Sequence, residues 1–278
     1  PTIVEFTKTS LTDGKEIEGA KLKVTDESGN TVDEWTSGKE PHIIKELTAG
    51  KKYTMTETLP ADGYVTAESI TFTVEDTGEV QKVEMKDDVT KVQISKTDIS
   101  GKELPGAKLT ILDKDGKTVE SWTSEAGKTY MIERLPVGKY TLREESAPYG
   151  YKVAKDVTFE VKETAEIQKV SMKDEQAVGK IVIEKTDKVT GKPIEGVVFE
   201  VRDKDGKVLD TLTTDKNGHA ESKELPICTY NEDGSFKEDI HYTVVETKAA
   251  DGYILDETAH DVTLRYDDNA PEVVVTTL

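Results

Sequence analysis

The chain has a single cysteine, Cys228, among its 278 residues, so neither an internal disulfide nor a four-cysteine zinc site can form. No catalytic cysteine signature surrounds it. Its histidines, His42, His219, His241 and His260, never stand in ligand-like pairs, which leaves a bound metal without support. No apolar run reaches the roughly eighteen residues a membrane helix needs, and no charged stretch followed by an apolar one opens the chain. Basic residues are in the minority: 37 Lys and Arg against 56 Asp and Glu leave a formal charge of −19, spread along the chain. Such a surface repels phosphate backbones, so nucleic acid is an unsuitable partner and solubility is the bland meaning of the charge. Helical periodicity, a Gly-rich phosphate loop and a Ser-His-Asp arrangement are missing too, and no cofactor is implied. From Pro1 to Leu278 the chain reads as a piece of a longer polypeptide.

What is present is alternation, punctuated by Gly-containing turns, and one stretch that recurs. Tyr53 to Tyr64 reads YTMTETLPADGY, Tyr140 to Tyr151 reads YTLREESAPYGY, and Tyr242 to Tyr253 reads YTVVETKAADGY. Their glutamates, Glu57, Glu144 and Glu246, recur after 87 and then 102 residues. This predicts three tandem domains of one kind, 1–88, 89–176 and 177–278, the last enlarged by an insertion near 227–240. The expected fold is all-β: three antiparallel β-sandwiches of Greek-key type, strung as a rod because the linkers are short and lack a Gly or Ser run.

Within each domain the period of two points charged groups inward. Val4, Phe6 and Lys8 share a face of the first strand, Tyr53, Met55 and Glu57 a face of another, and Val83, Met85 and Asp87 a face of the last. The second domain repeats this with Val92, Ile94 and Lys96, with Tyr140, Leu142 and Glu144, and with Val170, Met172 and Asp174. Lys to Glu is 49 residues in the first domain and 48 in the second, and Glu to Asp is 30 in both. The third keeps Ile181, Ile183 and Lys185, and Tyr242, Val244 and Glu246, but Lys to Glu widens to 61. Its final strand, Val273 to Leu278, has no Asp or Asn. The acceptor position there falls on Thr276 or Thr277, or just past Leu278. Trp35 and Trp122 occupy equivalent positions taken by Leu212 in the third domain, which suits core anchors better than sugar platforms. The pieces Asp113 to Gly116 and Asp203 to Gly206 lack the downstream Glu of a calcium loop and suit hairpin turns.

Burying a lysine with two carboxylic acids is costly, and one outcome is a structural ion-pair cluster. The other is chemistry. Desolvation favours a neutral amine and a protonated carboxyl together, and contact supplies effective concentration. Attack of Lys8 on Asp87, and of Lys96 on Asp174, would leave an amide and one water, with Glu57 and Glu144 as acid/base.

Lys96-Thr97-Asp98, Lys185-Thr186-Asp187, YTLREESAPYGY and the closing Met-Lys-Asp together resemble the collagen-adhesin B-type (CnaB-like) domains of Gram-positive surface adhesins and pilins. The resemblance covers the whole chain as three copies. It implies a Lys to Asn or Asp isopeptide bond between first and last strands, formed autocatalytically with the help of the E-box glutamate. It also implies a stalk outside the cell on a Gram-positive wall, partnered by neighbouring domains of a longer surface protein, with any host ligand held through other regions. Domain one departs from the stricter motifs at Lys8-Thr9-Ser10 and Leu59-Pro60-Ala61-Asp62, and both acceptors are Asp where the family commonly has Asn. The usual Tyr-Pro-Lys polymerisation motif of pilins is missing, which favours an adhesin stalk or accessory pilin. The competing expectation is a ligand- or glycan-binding module that uses the insertion, with Tyr230 and Phe236. A turnover enzyme is not expected.

Overall fold

The computed structural model describes residues 1–266 and, as backbone, 273–277. Among the described residues every regular element is a strand. The first domain contains β1 (Ile3–Ser10), β2 (Lys21–Asp26), β3 (Thr31–Thr36), β4 (His42–Lys45), β5 (Lys52–Leu59), β6 (Ile70–Thr73) and β7 (Val80–Asp87). The second repeats the set as β8 (Lys91–Asp98), β9 (Lys108–Leu112), β10 (Thr118–Thr123), β11 (Tyr130–Glu133), β12 (Gly138–Ser146), β13 (Val157–Val161) and β14 (Ile167–Asp174). The third has β15 (Val178–Glu184), β16 (Val198–Arg202), β17 (Val208–Thr213), β18 (His219–Glu221), β19 (Leu225–Pro226), β20 (Cys228–Tyr230), β21 (Phe236–Asp239), β22 (His241–Lys248), β23 (His260–Thr263) and β24 (Val273–Thr277).

Each domain is two sheets packed face to face. In the first, the order β3-β2-β5-β6 faces β4-β1-β7; in the second, β10-β9-β12-β13 faces β11-β8-β14. The third keeps β17-β16-β22-β23 opposite a sheet in which β15 is flanked by β18 and β19 on one edge and β24 on the other. Alternation fills the space between the sheets. Val4, Phe6, Leu22, Val24, Met55 and Met85 make the first core, and Val92, Ile94, Leu109, Ile111, Leu142 and Met172 the second. The two tryptophans sit at the rims of these cores, half-buried. Trp35 stacks on His42 at 4.2 Å and Trp122 on Tyr130 at 4.3 Å, while Leu212 at the equivalent register is buried. The Asp113 and Asp203 pieces form hairpin turns in which the Asp Oδ1 accepts backbone N–H groups two and four residues on.

Most pairings are antiparallel, but the first and last strands of each domain run parallel: β1 with β7, β8 with β14 and β15 with β24. Alternation carries no information on strand direction, so this was not readable beforehand. Its consequence is mechanical. Parallel neighbours begin at the same pole, so the chain enters a domain at one pole on β1 and leaves at the other on β7.

Candidate functional site

Each charged trio is assembled across the sandwich. In the parallel register Lys8 lies beside Met85 and Ser10 beside Asp87, so Lys8 and Asp87 are diagonal neighbours on the inner face of one sheet. Lys96 and Asp174 repeat this, with Lys96 beside Met172 and Asp98 beside Asp174. Glu57 and Glu144 come from the opposite sheet. There the register shifts immediately beside the glutamate: Leu22 pairs Glu57 but Lys21 pairs Leu59, and Leu109 pairs Glu144 but Lys108 pairs Ser146. A bulge re-aims a side chain and strengthens the local twist, and here it turns the Glu strand toward the site. The third domain has the same shift beside Glu246.

The geometry of the two trios is nearly identical. Lys8 Nζ donates to Asp87 Oδ1 and lies 3.2 Å from Glu57 Oε1; Lys96 Nζ donates to Asp174 Oδ1 and lies 3.0 Å from Glu144 Oε1. All six side chains are buried. Glu57 Oε2 accepts the Ala67 N–H and Glu144 Oε2 the Ala154 N–H, each at 2.7 Å. Those backbone donors hold the carboxyls in place, and no residue type announces them. Glu57 Oε1, Asp87 Oδ2, Glu144 Oε1 and Asp174 Oδ2 are buried without a hydrogen bond. Loss of water pushes the Asp87 and Asp174 carboxyls up to about 7, against the lowering pull of their lysines and with a further upward push from the neighbouring glutamates. A carboxyl poised at neutral pH against an amine, with a second carboxyl in reach, can exchange a proton within the cluster while a carbonyl carbon is attacked.

The third domain is different. Lys185 Nζ donates to Glu246 Oε2 at 2.9 Å, and the Lys185 side chain is 29% exposed, against 1% and 2% for Lys8 and Lys96. A cavity of about 270 Å³ opens beside the pair, bordered by Phe199, Asp256 and His260. Among the described residues no carboxylate stands where Asp87 and Asp174 stand. In β24, Thr276 lies opposite Ile181 and Thr277 opposite Val182. Neither Thr276 nor Thr277 therefore stands level with Lys185, and Leu278 lies outside the described residues.

The insertion treats its two aromatic residues differently. Its strands β20 and β21 pair as a hairpin that lies against the second domain. Tyr230 is half-buried in that contact, while Phe236 keeps 44% of its surface exposed. Tyr230 OH donates to the Tyr149 carbonyl at 3.0 Å and Tyr149 OH donates to Asp239 Oδ1 at 2.8 Å. Tyr151 meets the Tyr230 ring at 5.0 Å, and Phe236 meets Tyr149 edge-on at 4.6 Å. The physical reason is that Tyr149-Gly150-Tyr151 presents apolar rings at the domain end, which the hairpin covers. Cys228 is buried there, its Sγ donating to Tyr230 OH, and desolvation pushes its thiol up, away from nucleophilic reactivity.

The profile of the SpaA prealbumin-like fold domain matches the sequence three times, over residues 2–89, 90–176 and 179–233. The chain belongs to this family. Among curated proteins, this SpaA-type chain is 29% identical over 154 residues to serine-aspartate repeat-containing protein F of Staphylococcus epidermidis, covering 48% of this chain and 9% of that protein. It is 33% identical over 86 residues to the trypsin-resistant surface T6 protein of Streptococcus pyogenes serotype M6, covering 31% of this chain and 14% of the other. The chain thus spans only a small part of these relatives. Among solved structures, the Bacillus anthracis TIE protein superposes with a TM-score of 0.61 at 27% identity, over 100% of this chain and 50% of that one. BcpA, the major pilin subunit of Bacillus cereus, superposes at 0.56 with 17% identity over 100% and 98%, a likeness of fold.

Proposed function

We propose that the chain is a stalk segment of a Gram-positive cell-surface adhesin or accessory pilin, with domains at 1–88, 89–176 and 177–278, the first two each closed by one intramolecular isopeptide bond. The observation that carries this is the buried Lys-Glu-Asp trio, built twice with the same contacts. The neutral amine of Lys8 attacks Cγ of protonated Asp87, the new N–C bond forms as a C–O bond breaks, and one water leaves. Glu57 takes the proton from nitrogen and returns it to the departing oxygen. Lys96, Asp174 and Glu144 do the same in the second domain. The reaction happens once per site, so the protein is not a turnover enzyme.

The benefit follows from topology. The bond joins residues 79 apart, and closing a loop of that length is worth about 4–5 kcal/mol if the chain-entropy relation for disulfides transfers. Tension entering on β1 passes through Lys8 to Asp87 and out at the opposite pole, so the strands between carry none of it. The names of the relatives, surface and pilin proteins of Gram-positive bacteria, agree with an extracellular load-bearing role. The test is the intact mass of Glu57→Ala and Glu144→Ala. Once the mass change of the substitution itself is allowed for, each variant is expected to retain one water more than the unaltered chain, and the same water loss as the unaltered chain overturns the acid/base assignment.

A further inference from the structure

The two acidic side chains of each trio hold the tip of the lysine, but its root needs holding as well. β4 pairs with β1 only as far as Phe6, and β11 pairs with β8 only as far as Ile94. Two residues further on, Lys8 and Lys96 are buried, so their main-chain groups must find partners outside that ladder. The loop that follows the strand supplies both. Ile17 N–H donates to the Lys8 carbonyl and Leu104 N–H to the Lys96 carbonyl, each at 2.7 Å. The lysine N–H groups go to side chains: that of Lys8 donates to Glu16 Oε2 at 3.2 Å, and that of Lys96 to Glu103 Oε2 at 3.0 Å. Ser95 Oγ donates to the other oxygen of Glu103, which fixes that carboxylate further.

Domain three is built without this clamp. Thr9 bridges to Glu16, Thr97 to Glu103 and Thr186 to Pro193, so a proline stands where the other two domains have a glutamate. Ile194 N–H still donates to the Lys185 carbonyl, at 3.0 Å. The Lys185 N–H goes instead to the Gly218 carbonyl at 2.8 Å, because β18 reaches as far as the residue beside it. A carboxylate on the lysine main chain thus accompanies the two complete trios and is replaced by a strand edge beside the Lys185–Glu246 pair.

We propose that Glu16 and Glu103 are positioning residues for amide formation, each fixing the root of the lysine whose amine must meet a carboxyl carbon. The inference rests on the crosslinking reading above and adds two residues to it. Neither glutamate touches the reacting atoms; each acts through its lysine. A slip of the main chain is passed on to the amine, and a displacement of about 1 Å at a reacting pair can cost about a hundredfold in rate. What the role requires is an acceptor oxygen in the right place, which a glutamine also offers.

The test follows link formation in the full chain made by cell-free translation, quenched in acid at intervals and digested, with the Lys8–Asp87 and Lys96–Asp174 peptides measured by mass. Glu103→Ala is expected to slow the second link roughly tenfold or more and to leave the first at its wild-type rate, which serves as an internal clock. Glu16→Ala should do the reverse. Glu103→Gln should stay within about twofold of wild type. Ser124→Ala separates positioning from mere stability, because Ser124 Oγ also accepts a buried main-chain N–H in this domain, that of Ala107 at 2.9 Å, which belongs to no member of the trio. Its link should form at the wild-type rate. An unchanged rate in Glu103→Ala overturns the proposal, and so does equal slowing in Ser124→Ala or a Glu103→Gln as slow as Glu103→Ala. A wild type that never forms either link overturns the crosslinking reading itself, a result distinct from links that form without regard to Glu103.

Discussion

The first two sites and the third share a lysine and a glutamate, and differ in what surrounds them. In domains one and two the amine is buried against two carboxyls, and the Asp member is pushed up to about 7. In domain three Lys185 reaches one carboxylate, keeps part of its side chain in solvent and borders an open cavity. The difference teaches that the Glu strand and its bulge do not by themselves make the reactive environment. In the first two domains the last strand also brings a second carboxyl, Asp87 or Asp174, against the buried lysine.

The comparison can be broken most severely at Lys96. Replacing it by Ala removes the proposed closure, worth about 4–5 kcal/mol. It also leaves Asp174 and Glu144 buried without their cation, a further ~3–5 kcal/mol. Urea unfolding of the second domain should show the combined loss. The pH dependence of an uncrosslinked site sharpens it next. In Glu144→Ala, Asp174 keeps burial, the main cause of its raised pKa. Burial still holds the folded carboxyl above its unfolded value of 3.8, though without the upward push of Glu144 it lies below about 7, so stability that is complete below 3.8 is lost as pH rises through the folded value. The unaltered chain, its Asp174 consumed as an amide, should lack that slope when both are unfolded across the range.

Smaller effects separate the third domain from its neighbours. Tyr230→Phe removes the hydroxyl that donates to Tyr149 and should cost about 0.5–1.5 kcal/mol, read as faster amide exchange in the β20–β21 hairpin. Glu246→Ala breaks a pair whose lysine can turn to water. It should leave the mass unchanged apart from the substitution and cost only ~0–1 kcal/mol in thermal unfolding.

Much of this site was legible because period-two alternation is a direct readout of facing. Lys8, Glu57 and Asp87 fell on inner faces by counting, and a second copy at matched spacing tied them into one cluster. What alternation cannot encode was missed. Strand direction is set by connection geometry, so the parallel pairing of β1 and β7 came only from the fold. The bulge beside each Glu is a backbone event with no residue signature, and the Ala67 and Ala154 donors are main-chain groups. The insertion was legible as extra length, but not as a brace, because its partner Tyr149 lies 81 positions before Tyr230. Trp35 and Trp122 were placed at the right register but lie at the core rim, where a flanking ring covers one face.

The central claim is that two buried trios become two amides and the third pair does not. Intact-protein mass spectrometry of the unaltered chain tests it directly. A mass lower than the sequence by two waters, with digestion yielding linked peptides that join Lys8 to Asp87 and Lys96 to Asp174, is the predicted result. The full unmodified mass, or a loss of water with the link at Lys185, would contradict it.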